Sequence, residues 1–306
     1  MRIVFAGTPP VAADTLRALL DDGRHEVVAV LTRPDAPKGR SGRPVPSAVA
    51  QLADERGIET LKPATLRDGD AGERLSALAP DCCAVVAYGL LVPSDLLALP
   101  QHGWINVHYS LLPRWRGAAP VQRAIMAGDE VTGVSVFRLV DELDAGPVLA
   151  HVSEPVRDRD AGQLLGALQV IGTDALIASL SALEQGTASA RTQPSEGVTY
   201  APKLTVDDAR LDWTRPAAEL LRVIRGCNPT PVAWTVVDGE RFRVLQAAAI
   251  APAGLGPGEV VVDRRSVVVG TGDGDGIALV TVQPQGRRPM PAADWGRGLR
   301  SAPVFT

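Results

Sequence analysis

Runs of valine, alanine and isoleucine alternate with amphipathic segments from the start of the chain to Val86, and this alternation limits the fold more than any other feature. Residues 3–6 are apolar throughout and residues 25–31 are rich in valine, as strands buried on both faces are. Between them, residues 11–20 place apolar side chains at helical spacing. Residues 47–56, 58–61, 73–78 and 81–86 continue the order helix, strand, helix, strand. Such alternation predicts an α/β domain, a Rossmann-like parallel sheet covered by helices. The turn after the first run is Ala6-Gly-Thr-Pro-Pro. It lacks the Gly-x-Gly-x-x-Gly spacing of a dinucleotide site, so this turn carries no nucleotide-cofactor signature.

The pattern changes after a polar stretch at residues 186–200. One helical segment, 216–224, is followed by short valine-rich runs at 234–237, 241–248, 259–262, 267–270 and 277–282, separated by Pro, Gly and Asp. Closely spaced short strands with turn punctuation predict a small β-barrel. The expected organisation is a first domain over 1–188, a linker over 189–206 and a barrel over 207–306. A length of 306 residues and 45% hydrophobic content suit two soluble domains. No apolar run approaches a membrane span and residues 3–6 are no signal-peptide core, so a cytoplasmic location is expected. A monomer is the default expectation. Adjacent Cys82 and Cys83 with a distant Cys227 give neither a disulfide framework nor a zinc spacing, and no two of the four histidines sit as a ligand pair on a helix. No metal site is expected.

Chemistry enters at Gly103-Trp-Ile-Asn-Val-His108. Side chains alternate along a strand, so Asn106 and His108 face one way while Ile105 and Val107 face the other. An amide and an imidazole converging at a strand end suit stabilisation of an oxyanion and movement of a proton near neutral pH. A satisfied polar pair is the commoner meaning of Asn-x-His taken alone. The second element is the alternating run from Gly133, which ends in Asp141-Glu-Leu-Asp144-Ala-Gly. Aspartate is common in turns because it caps backbone amides, and local chemistry does not choose among Asp141, Glu142 and Asp144.

Together these residues carry a resemblance. Val85-Val-Ala-Tyr-Gly-Leu-Leu-Val-Pro93, Ile105-Asn-Val-His-Tyr-Ser-Leu-Leu-Pro113 and Leu143-Asp-Ala-Gly146 resemble motifs of the folate-dependent formyltransferases. Arg2-Ile-Val-Phe-Ala-Gly-Thr-Pro9, Thr32-Arg-Pro-Asp-Ala-Pro-Lys-Gly-Arg40, Pro113-Arg-Trp-Arg-Gly-Ala-Ala-Pro120 and Thr199-Tyr-Ala-Pro-Lys-Leu204 extend the likeness over almost the whole chain in the same order. It implies an OB-like form for the barrel and a catalytic set of Asn106, His108 and Asp144. It further implies 10-formyltetrahydrofolate as formyl donor, with the amine of methionyl initiator tRNA as acceptor. One departure is Tyr109, where the family often has a small residue; strand alternation turns it away from the donor face.

A pterin needs an apolar slot with backbone groups reading its edge. The walls expected from the resemblance are Val86, Tyr88, Gly89, Leu90, Leu91, Val92, Ser110, Leu111, Leu112 and Pro113. For RNA, the expected contacts are Lys38, Arg40 and Arg43 in a basic loop read as flexible, Arg114 and Arg116 about Trp115, and Lys203. Arg40 leads this set because a guanidinium both bridges phosphates and stacks on bases. A net charge of −4 is not the footprint of a chain that wraps nucleic acid. The alternative acceptor is an amino-sugar nucleotide, and a third reading is an RNA-gripping barrel without catalysis. The basic loop and the Arg-Trp-Arg run favour tRNA, and the triad of Asn106, His108 and Asp144 argues for an enzyme.

Overall fold

The structure is a computed structural model that describes residues 1–37, 42–67, 70–251, 253–299, 301 and 303–306. The strands in chain order are β1 (Arg2–Gly7), β2 (Glu26–Leu31), β3 (Ala36–Pro37), β4 (Pro44–Val45), β5 (Glu59–Leu61), β6 (Cys82–Val86), β7 (Trp104–His108), β8 (Val131–Arg138), β9 (Val148–Pro155), β10 (Ala233–Val237), β11 (Glu240–Ile250), β12 (Val260–Val262), β13 (Val267–Gly270), β14 (Gly276–Pro284) and β15 (Met290–Pro291). The helices are α1 (Pro10–Asp22), α2 (Ala48–Glu55), α3 (Asp70–Leu78), α4 (Ser94–Leu97), α5 (Pro120–Ala127), α6 (Ala161–Glu184), α7 (Ala217–Gly226) and α8 (Ala292–Arg297). The chain packs as two compact units. Residues 1–117, 132–154 and 166–200 form the first, and residues 118–131, 155–165 and 201–306 form the second.

The first unit is built on a seven-stranded sheet in the order β5-β2-β1-β6-β7-β8-β9. β1, β2, β5, β6 and β7 run parallel, and β8 joins β7 antiparallel. Val4, Ala6, Cys83, Val85 and Trp104 share a core with Leu75 of α3 and Leu96 of α4. Both faces of β1 and β6 are covered, which is why these runs read as continuously apolar rather than alternating. The thiols of Cys82 and Cys83 are fully buried, and burial pushes that of Cys82 up to about 12, so they behave as small core residues. On the face opposite Trp104, Gly172 of α6 sits against Val107 and Val134, where a Cβ would come within 3.0 Å of Val107 Cγ1. Glycine there lets the helix lie close on β7.

The order of strands reverses between β1 and β6. In open α/β sheets the crevice outside the carboxyl ends at such a switch is where ligands bind. Loops after β1, β2 and β6 meet there: Thr8 Oγ1 donates to the Tyr88 carbonyl at 2.9 Å, and Arg33 Nη1 donates to the Gly89 carbonyl at 3.2 Å.

The second unit holds an antiparallel sheet in the order β10-β11-β14-β13-β12, with β15 added to β14. Residues 304–306 join its two edges. Val304 bridges Glu259 beside β12, and Thr306 exchanges backbone hydrogen bonds of 3.1 Å with Val236 of β10. Phe305 goes inward between Trp213 and Phe242, with ring centroids 5.5 and 5.3 Å away. That closure turns the sheet into the expected barrel.

One element departs from the sequence reading. Helix α6, 24 residues long, was not foreseen, and it is long and apolar enough by length and composition to cross a membrane. Leu164, Leu168, Leu176 and Leu180 on it are fully buried, and Thr173 shares a 2.8 Å hydroxyl hydrogen bond with Thr15 of α1. At the base of the basic loop β3 and β4 pair, with Ala36 opposite Val45. Lys38 and Arg40 lie outside the described residues. Tyr109 is 9% exposed, and burial drives its hydroxyl pKa upward.

Trp104 anchors the strand that matters most. Its side chain is fully buried and its indole N–H donates to the Leu96 carbonyl at 2.7 Å. Trp104→Phe keeps an aromatic ring but removes that donor; the carbonyl still accepts from Leu99 N at 3.3 Å, so losing the indole hydrogen bond is expected to cost about 0.5–1.5 kcal/mol in urea denaturation.

Candidate active site

β7 carries the chemistry to the rim of the sheet. Trp104, Asn106 and His108 have the same parity, so the two polar residues continue the face that Trp104 buries in the core. Asn106 stands opposite Phe137 of β8, and His108 opposite Ser135. Asn106 is half-buried, and among the described residues no protein group hydrogen-bonds its carboxamide. A half-buried amide with both donors uncommitted is available to a ligand.

His108 is 6% exposed, edge-on to Phe137 with ring centroids 6.3 Å apart. Its Nε2 lies 2.8 Å from the Trp115 carbonyl and its Nδ1 lies 3.7 Å from Asp144 Oδ2. A carbonyl only accepts, so Nε2 carries the proton in the neutral ring. Nδ1 is then the free base, facing a carboxylate that favours its protonation. Burial lowers the imidazole pKa below its ordinary value, while Asp144 and the Trp115 carbonyl oppose that shift. The neutral ring is therefore the resting form at pH 7. The acid limb of kcat/KM is expected to fall below pH 6.5, the ordinary value for histidine. Asp144→Asn removes an upward influence and moves the limb of the residual activity lower still. A rate profile with its midpoint above that value contradicts the assignment.

Asp144 sits in the 142–146 turn with φ +48°, and Trp115 has φ +65°. Both are left-handed conformations that non-glycine residues adopt at a cost, and such outliers gather at functional sites. The carboxylate is fixed by Gly117, whose N–H donates to Oδ2 at 2.7 Å. Of the three acidic residues in the cluster, Asp144 alone meets the imidazole: Asp141 accepts from Ser94 Oγ, and Glu142 pairs with Arg116 at 2.8 Å. Ser135 shapes the turn after His108, donating to the Ser110 carbonyl at 2.6 Å and accepting from Leu112 N at 2.9 Å.

The expected folate set divides by burial. Val86, Tyr88, Ser110 and Leu112 are at most 3% exposed, so their side chains are core groups and present no surface to a ligand. The reason is parity and hydrogen bonding: Tyr88 packs into the core with Trp104, Ser110 Oγ donates to the Arg114 carbonyl, and Leu112 packs on Phe137. Leu91 is 77% exposed, Gly89 is exposed with φ +84°, and Leu90, Val92, Leu111 and Pro113 are half-buried. Leu143, 52% exposed, and Val140 add apolar surface on the acidic turn, and the Ser94–Asp141 hydrogen bond ties that turn to the loop after β6. The sequence does not single out these two residues, because nothing in an acidic turn marks its apolar members as exposed.

Of the basic residues, Arg43 and Arg114 are exposed in the first unit and Lys203 is exposed in the second. The Arg114 guanidinium lies 4.5 Å from the Trp115 ring centroid. Arg116 is set differently from expectation. It is 6% exposed, with Nε and Nη2 donating to Gln193 Oε1 and Nη1 to Glu142, so its guanidinium is spent inside the protein.

Comparison with known proteins agrees with this architecture. The formyl transferase family model matches residues 1–178, and the model for the formyl transferase C-terminal domain matches residues 203–300. The chain belongs to the formyl transferase family. It is 54% identical over 302 residues to the methionyl-tRNA formyltransferase of Streptomyces coelicolor, covering 98% of this chain and 97% of that protein. The methionyl-tRNA formyltransferase of Mycolicibacterium vanbaalenii is 54% identical over 303 residues with the same coverage. Among solved structures, the N-formyltransferase from Helicobacter canadensis in complex with folinic acid and dTDP-3-aminofucose aligns with a TM-score of 0.70 at 14% identity, covering 92% of this chain and 98% of that one. HypX from Aquifex aeolicus in complex with tetrahydrofolic acid aligns with a TM-score of 0.67 at 21% identity, covering 96% of this chain and 46% of that one. These two likenesses speak for the fold.

Proposed function

We propose that this chain transfers the formyl group of 10-formyltetrahydrofolate to the free amine of methionyl initiator tRNA, at a site made by Asn106, His108 and Asp144. The observation that carries the reaction is the uncommitted Asn106 amide beside a buried imidazole whose free nitrogen faces a carboxylate. The acceptor rests on relatives more than half identical over nearly the whole chain.

The residues fit the donor. Exposed Leu91 and Leu143, with Gly89 leaving backbone accessible, offer the apolar slot and polar edge that a pterin needs. As the acceptor amine attacks the formyl carbon, Asn106 donates to the oxygen that becomes an oxyanion. His108 Nδ1 takes the proton lost by the attacking nitrogen, and Asp144 stabilises the imidazolium. When the tetrahedral centre collapses, the carbon–nitrogen bond to the folate breaks and His108 returns the proton to the departing nitrogen. No covalent bond to the protein forms, and the proton count closes.

Arg43, Arg114 and Lys203, with Lys38 and Arg40, are the tRNA contacts in this reading. Residues 1–188 then hold the reaction, 189–206 connect, and 207–306 grip RNA. The chain works as a monomer in the cytoplasm, where translation occurs. Offering methionyl initiator tRNA and an amino-sugar nucleotide as competing acceptors tests the reading. Formyl on the tRNA alone supports it, and formyl on the sugar alone overturns it.

A further inference from the structure

Asp144 keeps a backbone conformation that only its surroundings can enforce, and those surroundings centre on Gln193. The Gln193 amide Nε2 donates to the carbonyls of Asp144 and Gly146, each at 2.8 Å. Its Oε1 accepts from Arg116 Nε and Nη2 at 3.2 and 2.9 Å. Carbonyls only accept and a guanidinium only donates, so the amide has a single workable orientation. Arg116 also reaches Glu142 through Nη1 at 2.8 Å. One amide and one guanidinium thus hold the 142–146 turn at Glu142, Asp144 and Gly146.

The segment around Gln193 also braces the other side of the imidazole. Arg191 and Val148 exchange backbone hydrogen bonds of 2.8 Å. Thr199 accepts from Trp115 N through Oγ1 and from Arg116 N through its carbonyl, each at 2.9 Å. Trp115 is the residue whose carbonyl receives the His108 Nε2 proton. From these contacts, and resting on the formyl-transfer reading, we infer that Gln193 is a positioning residue that sets Asp144 against His108 Nδ1.

Gln193→Glu and Gln193→Leu in the full chain test this. Glutamate still offers oxygen to Arg116 but has no hydrogen for the two carbonyls, and leucine serves neither. Both are expected to lower kcat about a hundredfold, the scale on which small misplacements of catalytic groups act, with KM for both substrates unchanged. Gln193→Asn retains the donor at shorter reach, remains available if either other variant does not fold, and is expected to recover part of kcat. Wild-type kcat in folded Gln193→Glu, or a change in KM alone, overturns the inference. A wild-type chain that formylates nothing overturns the underlying reading and this inference with it, and that inactivity distinguishes the two failures.

Discussion

Replacing His108 with alanine is expected to slow formyl transfer about a hundred- to ten-thousandfold, the span of a positioned general acid–base group. The attacking amine must lose a proton and the departing folate nitrogen must gain one, and the geometry offers one relay for both. Nδ1 is unprotonated at rest and faces Asp144 at 3.7 Å, while Nε2 is committed to the Trp115 carbonyl. The substitution also leaves a cavity beside Phe137 and takes away the imidazole facing Asp144, so thermal stability is measured on the same preparation. His108→Asn fills more of the space without supplying a base near neutral pH. If this second variant is folded and retains the wild-type rate, the proton relay lies elsewhere.

Asn106→Ala is expected to cost about a hundred- to a thousandfold in kcat, as loss of one oxyanion donor does, with little change in KM. The structure makes this the cleaner substitution. No described protein group depends on the Asn106 amide, so the stability change is expected to stay below about 1 kcal/mol. A large loss of stability with kcat preserved would assign Asn106 to structure.

The contrast between these residues and Gln193 shows what the sequence makes legible. Asn106 and His108 are two apart on one apolar strand, so alternation alone places them on one face, and strand β7 does so. Asp144 was indistinguishable from Asp141 and Glu142 by local chemistry, and the family pattern was needed to select it. Gln193 lies 77 residues beyond Arg116, in a polar stretch read as connecting chain, where nothing local marks a side chain that bonds two carbonyls across the fold. Arg116 misleads for a related reason. It flanks Trp115 as Arg114 does, yet Arg114 is exposed and Arg116 is buried.

Secondary structure divides along similar lines. Strands buried on both faces, such as β1 and β6, announce themselves as apolar runs, and the barrel strands β10 and β11 as short valine-containing runs set off by turn residues. Helix α6 is apolar on several faces and interrupted by Gly162, Gly166 and Gly172, so it lacks the stripe by which a surface helix is recognised. The β3–β4 pair is only two residues a side and includes Pro37 and Pro44, below any periodic signal. Barrel closure by residues 304–306 depends on pairing with Glu259 and Val236, which spacing does not encode.

The most direct measurement is formyl transfer from 10-formyltetrahydrofolate to methionyl initiator tRNA by the wild-type chain and by Asn106→Ala, with methionyl elongator tRNA in parallel. The account predicts rapid transfer by the wild type, selective for the initiator, and near abolition by the substitution. A folded wild-type chain that binds folate and formylates neither tRNA would contradict it.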